Sequence, residues 1–279
     1  MERGFRKALV GQDMQSQSSW WKFPGAIAIA LVLMVGLVAC GADQVGEVAT
    51  EVEGATTGTT APAQASTPPE FATTLPRLTG KATVVITVKG KPIEIEVDGD
   101  SAPITAGNFV DLVQKKVYDN TIFHRVVRQP TPFVVQGGDP QSKDPNASPE
   151  RFGTGSYIDP KTGKERLIPL EILPEGRSTP VYSATFEQER ISASPVLSHS
   201  RGAVAMARSQ APDSASAQFY FALADLRPLD GSYAVFGYVT QGMDVVDTIE
   251  MGDRIDSAVV TSGIENLKQT SGETEAADQ

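Results

Sequence analysis

The 279-residue chain predicts a mainly β fold: an antiparallel barrel closed on itself and capped at its ends by two helices. Three observations predict it. Short apolar and β-branched runs recur between turn residues, only two segments carry a helical period, and 25 Gly with 19 Pro supply turns or a linker.

The elements follow in order. Residues 83–88 and 93–97 alternate apolar and polar side chains on either side of Lys89-Gly90-Lys91-Pro92, which reads as a hairpin. Thr105 is placed to cap a helix whose apolar stripe is Phe109, Leu112 and Val113, at i, i+3 and i+4. Short strands are expected at 122–127, 133–136, 203–207, 219–223 and 234–239. A second helix fits 243–249 and a last strand 258–261. Residues 140–200 break the rhythm, being rich in Pro, Ser, Gly and charge, and read as a long insertion of the functional or mobile kind.

Outside residues 80–267 the chain reads differently. An apolar run at 24–39 is short for a span, which needs about 20 residues, and follows basic residues, the layout of a secretory signal over 1–39. The single cysteine closes the run in Leu37-Val38-Ala39-Cys40. This tetrapeptide resembles a bacterial lipobox, which implies that Cys40 is acylated and becomes the mature N-terminus; the alternative is an uncleaved signal anchor with an incidental cysteine. Stable anchoring needs two signals or more, and the resemblance to lipoproteins implies a multiply acylated Cys. Residues 40–79, dominated by Ala, Thr, Gly, Pro, Gln and Glu, have too few large apolar groups to offset the entropy of folding and read as a disordered tether. Residues 268–279 read as a frayed acidic tail. Without the signal the chain carries 20 basic against 32 acidic residues, a net −12, a surface that repels phosphates and argues against nucleic-acid binding.

The chemistry-bearing residues come in ordered blocks. Phe123-His124-Arg125-Val126-Val127 precedes Phe133-Val134-Val135-Gln136-Gly137-Gly138-Asp139. Then come Arg201-Gly202-Ala203-Val204-Ala205-Met206-Ala207-Arg208, Ser216-Ala217-Gln218-Phe219-Tyr220-Phe221 and Leu229-Asp230-Gly231-Ser232-Tyr233-Ala234-Val235-Phe236-Gly237. In these blocks, and over roughly 82–267, the chain resembles the cyclophilins, peptidyl-prolyl cis–trans isomerases. The resemblance implies an eight-stranded barrel with the site on its outer face and no cofactor or metal. It makes Arg125 the catalytic Arg, with Phe133 and Gln136, and lines the substrate groove with Val134, Ala207, Arg208, Gln218, Tyr220, Leu229 and Tyr233. It implies proline-containing polypeptide segments as partners and a monomer, and the lipobox-like N-terminus adds that these belong to exported proteins, met on the outward side of a bacterial membrane to which the lipid attaches the chain.

The residue types suit that reaction. The X–Pro bond is held planar by the nitrogen lone pair delocalised into the carbonyl, and it turns over unaided in tens to hundreds of seconds. A guanidinium aimed at the amide bonds the twisted form better than the flat one, and only such differential binding accelerates the step. His124, one residue before Arg125 on a strand, should face the other way and serve structure.

Several positions depart from the family pattern. The stretch from Arg125 to Phe133 is longer than usual, with the excess expected in a bulge. Val134 replaces a common Met, Tyr220 a Phe, Arg208 an Asn, and Tyr233 a His. Pro228 stands where many eukaryotic members carry the Trp that grips cyclosporin, and Lys116 where a Gly ends the first helix. A hydrolase is disfavoured: Gly153-Thr154-Gly155-Ser156-Tyr157 is not the nucleophile elbow, and the two histidines, His124 and His199, lack a supporting motif. A non-catalytic module or chaperone that holds proline segments on the same fold is the alternative to an enzyme.

Overall fold

The computed structural model describes residues 67–269. The signal segment, Cys40, the tether up to residue 66 and the tail from residue 270 lie outside the described residues.

Among the described residues twelve strands and two α-helices follow one another: β1 (Arg77–Leu78), β2 (Lys81–Val88), β3 (Lys91–Asp98), α1 (Pro103–Gln114), β4 (Arg125–Val126), β5 (Val134–Gly137), β6 (Glu171–Ile172) and β7 (Val181–Tyr182). After them come β8 (Ala203–Met206), β9 (Phe219–Ala222), β10 (Val235–Gln241), α2 (Met243–Thr248), β11 (Ile255–Ser262) and β12 (Leu267–Lys268). Eight strands form one antiparallel sheet in the order β11-β2-β3-β10-β8-β9-β5-β4, strongly curled.

The expected hairpin is β2 and β3. Alternation buries Ala82, Val84, Ile86 and Val88 from one strand and Ile93, Ile95 and Val97 from the other. Lys89 and Gly90 close it with positive φ at both residues, 52° and 71°, the turn whose twist suits paired strands.

The sheet is an open half-barrel, which corrects the closed barrel expected. β4 has two residues where six were foreseen, and it does not pair with β11. The segment before β4 instead meets the turn before β11, through an isolated bridge between Ile122 and Arg254 and bonds from Phe123 N–H to Asp253 O and from Gly252 N–H to Phe123 O. Those backbone groups are satisfied by turns, so no ladder is needed to satisfy them.

Helix α1 begins before Thr105. Pro103 takes its first position, where a missing N–H does no harm, and Thr105 sits inside the first turn, fully buried. The amides of that turn, which have no partner within the helix, are satisfied from the insertion: buried Ile104 and Thr105 donate to the buried carboxylate of Glu171, at 3.0 and 2.8 Å. Phe109, Leu112 and Val113 do face the core, and the Phe109 ring packs on Tyr118, Phe219 and Phe236 with centroids 4.8–5.4 Å apart. Lys116 takes a left-handed φ of 54° after the helix, the role a glycine serves elsewhere.

The folded domain also starts earlier than residue 80. A 3₁₀ turn, Glu70–Thr74, leads into β1, which pairs with β12, and Ala72, Leu75 and Leu78 are buried. Gly107 permits this docking, because a Cβ there would lie 2.6 Å from the Arg77 Cα. At the other end Lys268 belongs to β12, and Gln269 donates to Asp111 at 3.0 Å.

The 140–200 insertion is built into the domain. Its hairpin β6–β7 heads a small core of Leu170, Ile172, Val181, Phe186 and Ala234. Arg166 pairs with the buried Asp111 of α1 at 2.5 Å and lies over the Tyr157 ring at 4.8 Å.

Candidate active site

Alternation gives the curled sheet two faces. Val135, Val204, Met206, Phe219 and Phe221 point into the main core, while Val134, Ala203, Ala205, Tyr220 and Ala222 form a second apolar cluster on the outer face. Register places Arg125 opposite Gln136, Gln136 opposite Tyr220, and Tyr220 opposite Ala205, a row across four strands. Residues directly opposite share a face, so the row follows from pairing alone.

Along that row runs a chain of polar bonds. Arg125 Nη1 lies 3.4 Å from Gln136 Oε1, Gln136 Nε2 donates to Gln218 Oε1 at 3.2 Å, and Gln218 Nε2 donates to Gly155 O at 2.8 Å. The guanidinium also lies 5.5 Å from the centre of the Phe133 ring and stays solvent-exposed. Each amide is therefore oriented by its neighbour, and the exposed cation is steered toward the hollow beside it.

That hollow measures about 280 Å³ and is lined by Arg125, Phe133, Val134, Gln136, Ala207, Arg208, Tyr220, Leu229 and Tyr233. Nine of the residues singled out in the sequence thus meet at one place. The tenth, Gln218, lines an adjoining hollow of about 380 Å³ with Gly153, Thr154, Gly155, Ser156, Ser209, Ser214 and Ser216. Short side chains (Val134, Ala207) between larger ones (Phe133, Tyr220, Leu229, Tyr233) leave room for a small apolar ring.

Arg208 turns its side chain to the protein. It donates to the carbonyls of Ser232 at 2.6 and 3.0 Å, Ser209 at 2.8 Å and Gln210 at 3.1 Å, and lies 4.6 Å from the centre of the Tyr233 ring. It therefore holds the rim loop that carries Leu229 and Tyr233. Asp139, fully buried, holds the opposite rim by accepting from Gly153 and Gly155 N–H at 2.7 and 3.1 Å.

His124 lies away from the hollow, against Gly153, as the strand alternation requires. Burial lowers its pKa, with the nearby Asp139 pulling the other way. His199, set aside in the sequence, is completely buried behind the hollow and bonds Tyr220 and Asp230. No local signal marked it, since its partners lie 21 and 31 residues on, beyond any local spacing. Gly155 and Asp139 were missed likewise, because Gly155 acts through its carbonyl and the Asp139 carboxylate bonds backbone amides 14 and 16 residues on.

The family model for cyclophilin type peptidyl-prolyl cis-trans isomerases matches residues 83–269. This chain belongs to the cyclophilin family. It is 44% identical over 72% of its length to a Synechocystis sp. protein whose name describes a thylakoid lumen peptidyl-prolyl cis-trans isomerase, covering 52% of that protein. It is 38% identical over 73% of its length to the chloroplastic peptidyl-prolyl cis-trans isomerase CYP38 of Arabidopsis thaliana, covering 47% of it. A peptidyl-prolyl cis-trans isomerase of Acinetobacter baylyi is 37% identical over 56% of the chain and 65% of its own length. The chain spans about half the length of the first two relatives.

In this cyclophilin the long connection from Arg125 to Phe133 makes no bulge. Arg125 and Val126 pair in register with Gln136 and Val135, Phe133 N–H closes the hairpin on Val127 O at 2.9 Å, and the excess forms a loop beyond it. Arg128 in that loop donates to Val246 O and Asp247 O at 3.2 and 2.9 Å, carbonyls in the last turn of α2.

Proposed function

We propose that this cyclophilin catalyses cis–trans isomerisation of X–Pro bonds in exported polypeptides. The observation that carries the reading is the Arg125–Gln136–Gln218 chain lying along the edge of an apolar hollow. The prolyl ring enters the hollow between Phe133, Tyr220 and Leu229, where water is excluded. As the bond twists, conjugation is lost and the lone pair returns to the prolyl nitrogen. The Arg125 guanidinium then donates to that nitrogen or the adjoining amide, a bond the planar ground state makes less well. Gln136 keeps the guanidinium in place, and Gln218 and Gly155 keep Gln136 in place. The less polar twisted state also gains from the dry surroundings. No proton is transferred and no covalent bond to the protein forms.

Arg is suited to this role because its planar fork stays charged at every working pH. One charge-assisted hydrogen bond contributes about 1.5–3 kcal/mol, or roughly 10- to 150-fold in rate. Arg125→Ala should therefore lower kcat/KM on a proline tetrapeptide by that factor while peptide affinity changes much less. Equal turnover by wild type and variant refutes the catalytic assignment, and binding without turnover by wild type transfers the fold to a proline-holding module or chaperone.

The location belongs to the same proposal. Acylated Cys40 tethers the domain, as a monomer, to the outward face of a bacterial membrane, where exported chains present their prolines. The thylakoid lumen in one relative's name supports a site of action across a membrane from synthesis. Cys40→Ser should move the protein from the membrane fraction to the soluble one; unchanged retention overturns the anchor.

A further inference from the structure

His199 takes no part in the chemistry just described, yet it bonds Tyr220, one wall of the hollow, from behind. Its Nδ1 lies 2.8 Å from Asp230 Oδ1 and its Nε2 3.0 Å from Tyr220 Oη. Asp230 Oδ1 also accepts from the His199 N–H at 2.8 Å, and His199 O accepts from Leu226 N–H at 2.6 Å. A carboxylate only accepts, so Nδ1 carries the proton; the neutral ring then leaves Nε2 to accept, and Tyr220 O–H donates. The direction of the whole relay is set by Asp230.

The relay joins two walls. Tyr220 stands on β9 and is 5% exposed, with its hydroxyl committed to the buried imidazole, so the hollow meets its ring. Leu229 and Tyr233 stand on the rim loop that contains Asp230, and the Tyr233 ring meets Tyr220 edge-on at 6.2 Å. The insertion braces the same loop, since Phe186 N–H donates to Gly231 O at 2.9 Å.

We infer that His199, oriented by Asp230, is a positioning residue for X–Pro isomerisation: it locks Tyr220 to the rim loop and so sets the width of the proline hollow. This rests on the isomerase reading above. A ring free to rotate about its χ angles would widen the hollow and blur the placement of the prolyl nitrogen under Arg125, and such misplacement lowers kcat more than it raises KM.

The test compares wild-type full chain with His199→Leu, Tyr220→Phe and the double variant, using turnover of a proline tetrapeptide and its affinity. His199→Leu should lower kcat/KM about fivefold or more, mainly in kcat. Because both single changes break the His199–Tyr220 bond, the double variant should be no slower than the slower single one. Multiplying effects, or a folded His199→Leu variant within twofold of wild type, overturn the inference.

Where His199→Leu does not fold, the pH profile of wild type against Tyr220→Phe decides. A second proton on the imidazole forces Nε2 to donate and the Tyr220 hydroxyl to reverse. The groups facing this pair are Asp230 from the rim loop, Arg208 and Tyr233 across the hollow, Arg125 along the row and Tyr238 of β10, bonded to Ser198 O. Burial lowers the His199 pKa against the pull of Asp230, so wild-type kcat/KM should step down on the acid side of the ordinary imidazole range. Loss of that step in Tyr220→Phe supports the relay, and its persistence overturns it. If wild type binds the peptide without turning it over, the isomerase reading falls alone, and the same non-additive pattern in affinity tests the relay. Neither binding nor turnover sinks both.

Discussion

Replacing Glu171 should uncouple the insertion from the domain. This carboxylate is fully buried and accepts from Ile104 N–H at 3.0 Å, Thr105 N–H at 2.8 Å and Thr105 Oγ1 at 2.8 Å. In Glu171→Leu the hydroxyl can find a local carbonyl, but two buried amides lose their acceptor. At about 1–3 kcal/mol for each unsatisfied group the loss is about 2–6 kcal/mol. Set against a typical domain stability of about 5–15 kcal/mol, that is a large fraction. With a urea slope of about 2 kcal/mol/M, the midpoint should fall by about 1–3 M. Glu171→Gln keeps one accepting oxygen and should lose much less.

The same residue has a defined pH signature. Burial pushes the Glu171 carboxyl above the usual range, with the amides of Thr105 and Ile104 opposing. A carboxyl whose folded pKa exceeds its unfolded value, about 4.3, binds more protons in the folded state. Its contribution to stability is complete below the unfolded value and is lost as pH rises through the folded one. Other acidic groups contribute their own slopes, so the difference between wild type and Glu171→Gln isolates this one. Urea titrations at several pH values should show that difference turning against wild type as pH rises. A Glu171→Leu midpoint within 0.5 M of wild type (about 1 kcal/mol) refutes the capping argument, and a pH-independent difference refutes the titration.

Two further outcomes follow from the rims. A Cβ at Gly155 would run into the Asp139 carboxylate and the Gln141 amide, and Gly155 O anchors Gln218, so Gly155→Ala should shift the whole polar row. It should lower both the melting temperature and kcat on the tetrapeptide; an unaltered kcat disconnects Gly155 from Arg125. Arg208→Ala removes the bonds to Ser232, Ser209 and Gln210, so the rim loop loosens and KM should rise several-fold, with kcat falling less. A pure kcat effect in steady-state kinetics would instead put Arg208 in contact with the twisting bond.

Much of this protein was readable before any coordinate. Period two fixed which residues of the β2–β3 hairpin are buried, because successive side chains on a strand must alternate. The spacing of Phe109, Leu112 and Val113 found the core face of α1 for the corresponding helical reason. The ordered blocks around Arg125, Gln136, Gln218 and Leu229 named the residues that converge on the hollow. What stayed hidden depends on partners distant in the chain. Glu171 caps a helix from 66 residues away, Gly107 makes room for β1 against α1, and Asp230 selects the tautomer of His199 across 31 residues. Closure of the sheet also depended on tertiary choices, since the groups before β4 and β11 found partners in turns. Local patterns are set by the geometry of one strand or helix; the satisfaction of a buried polar group is set by whichever part of the chain folds over it.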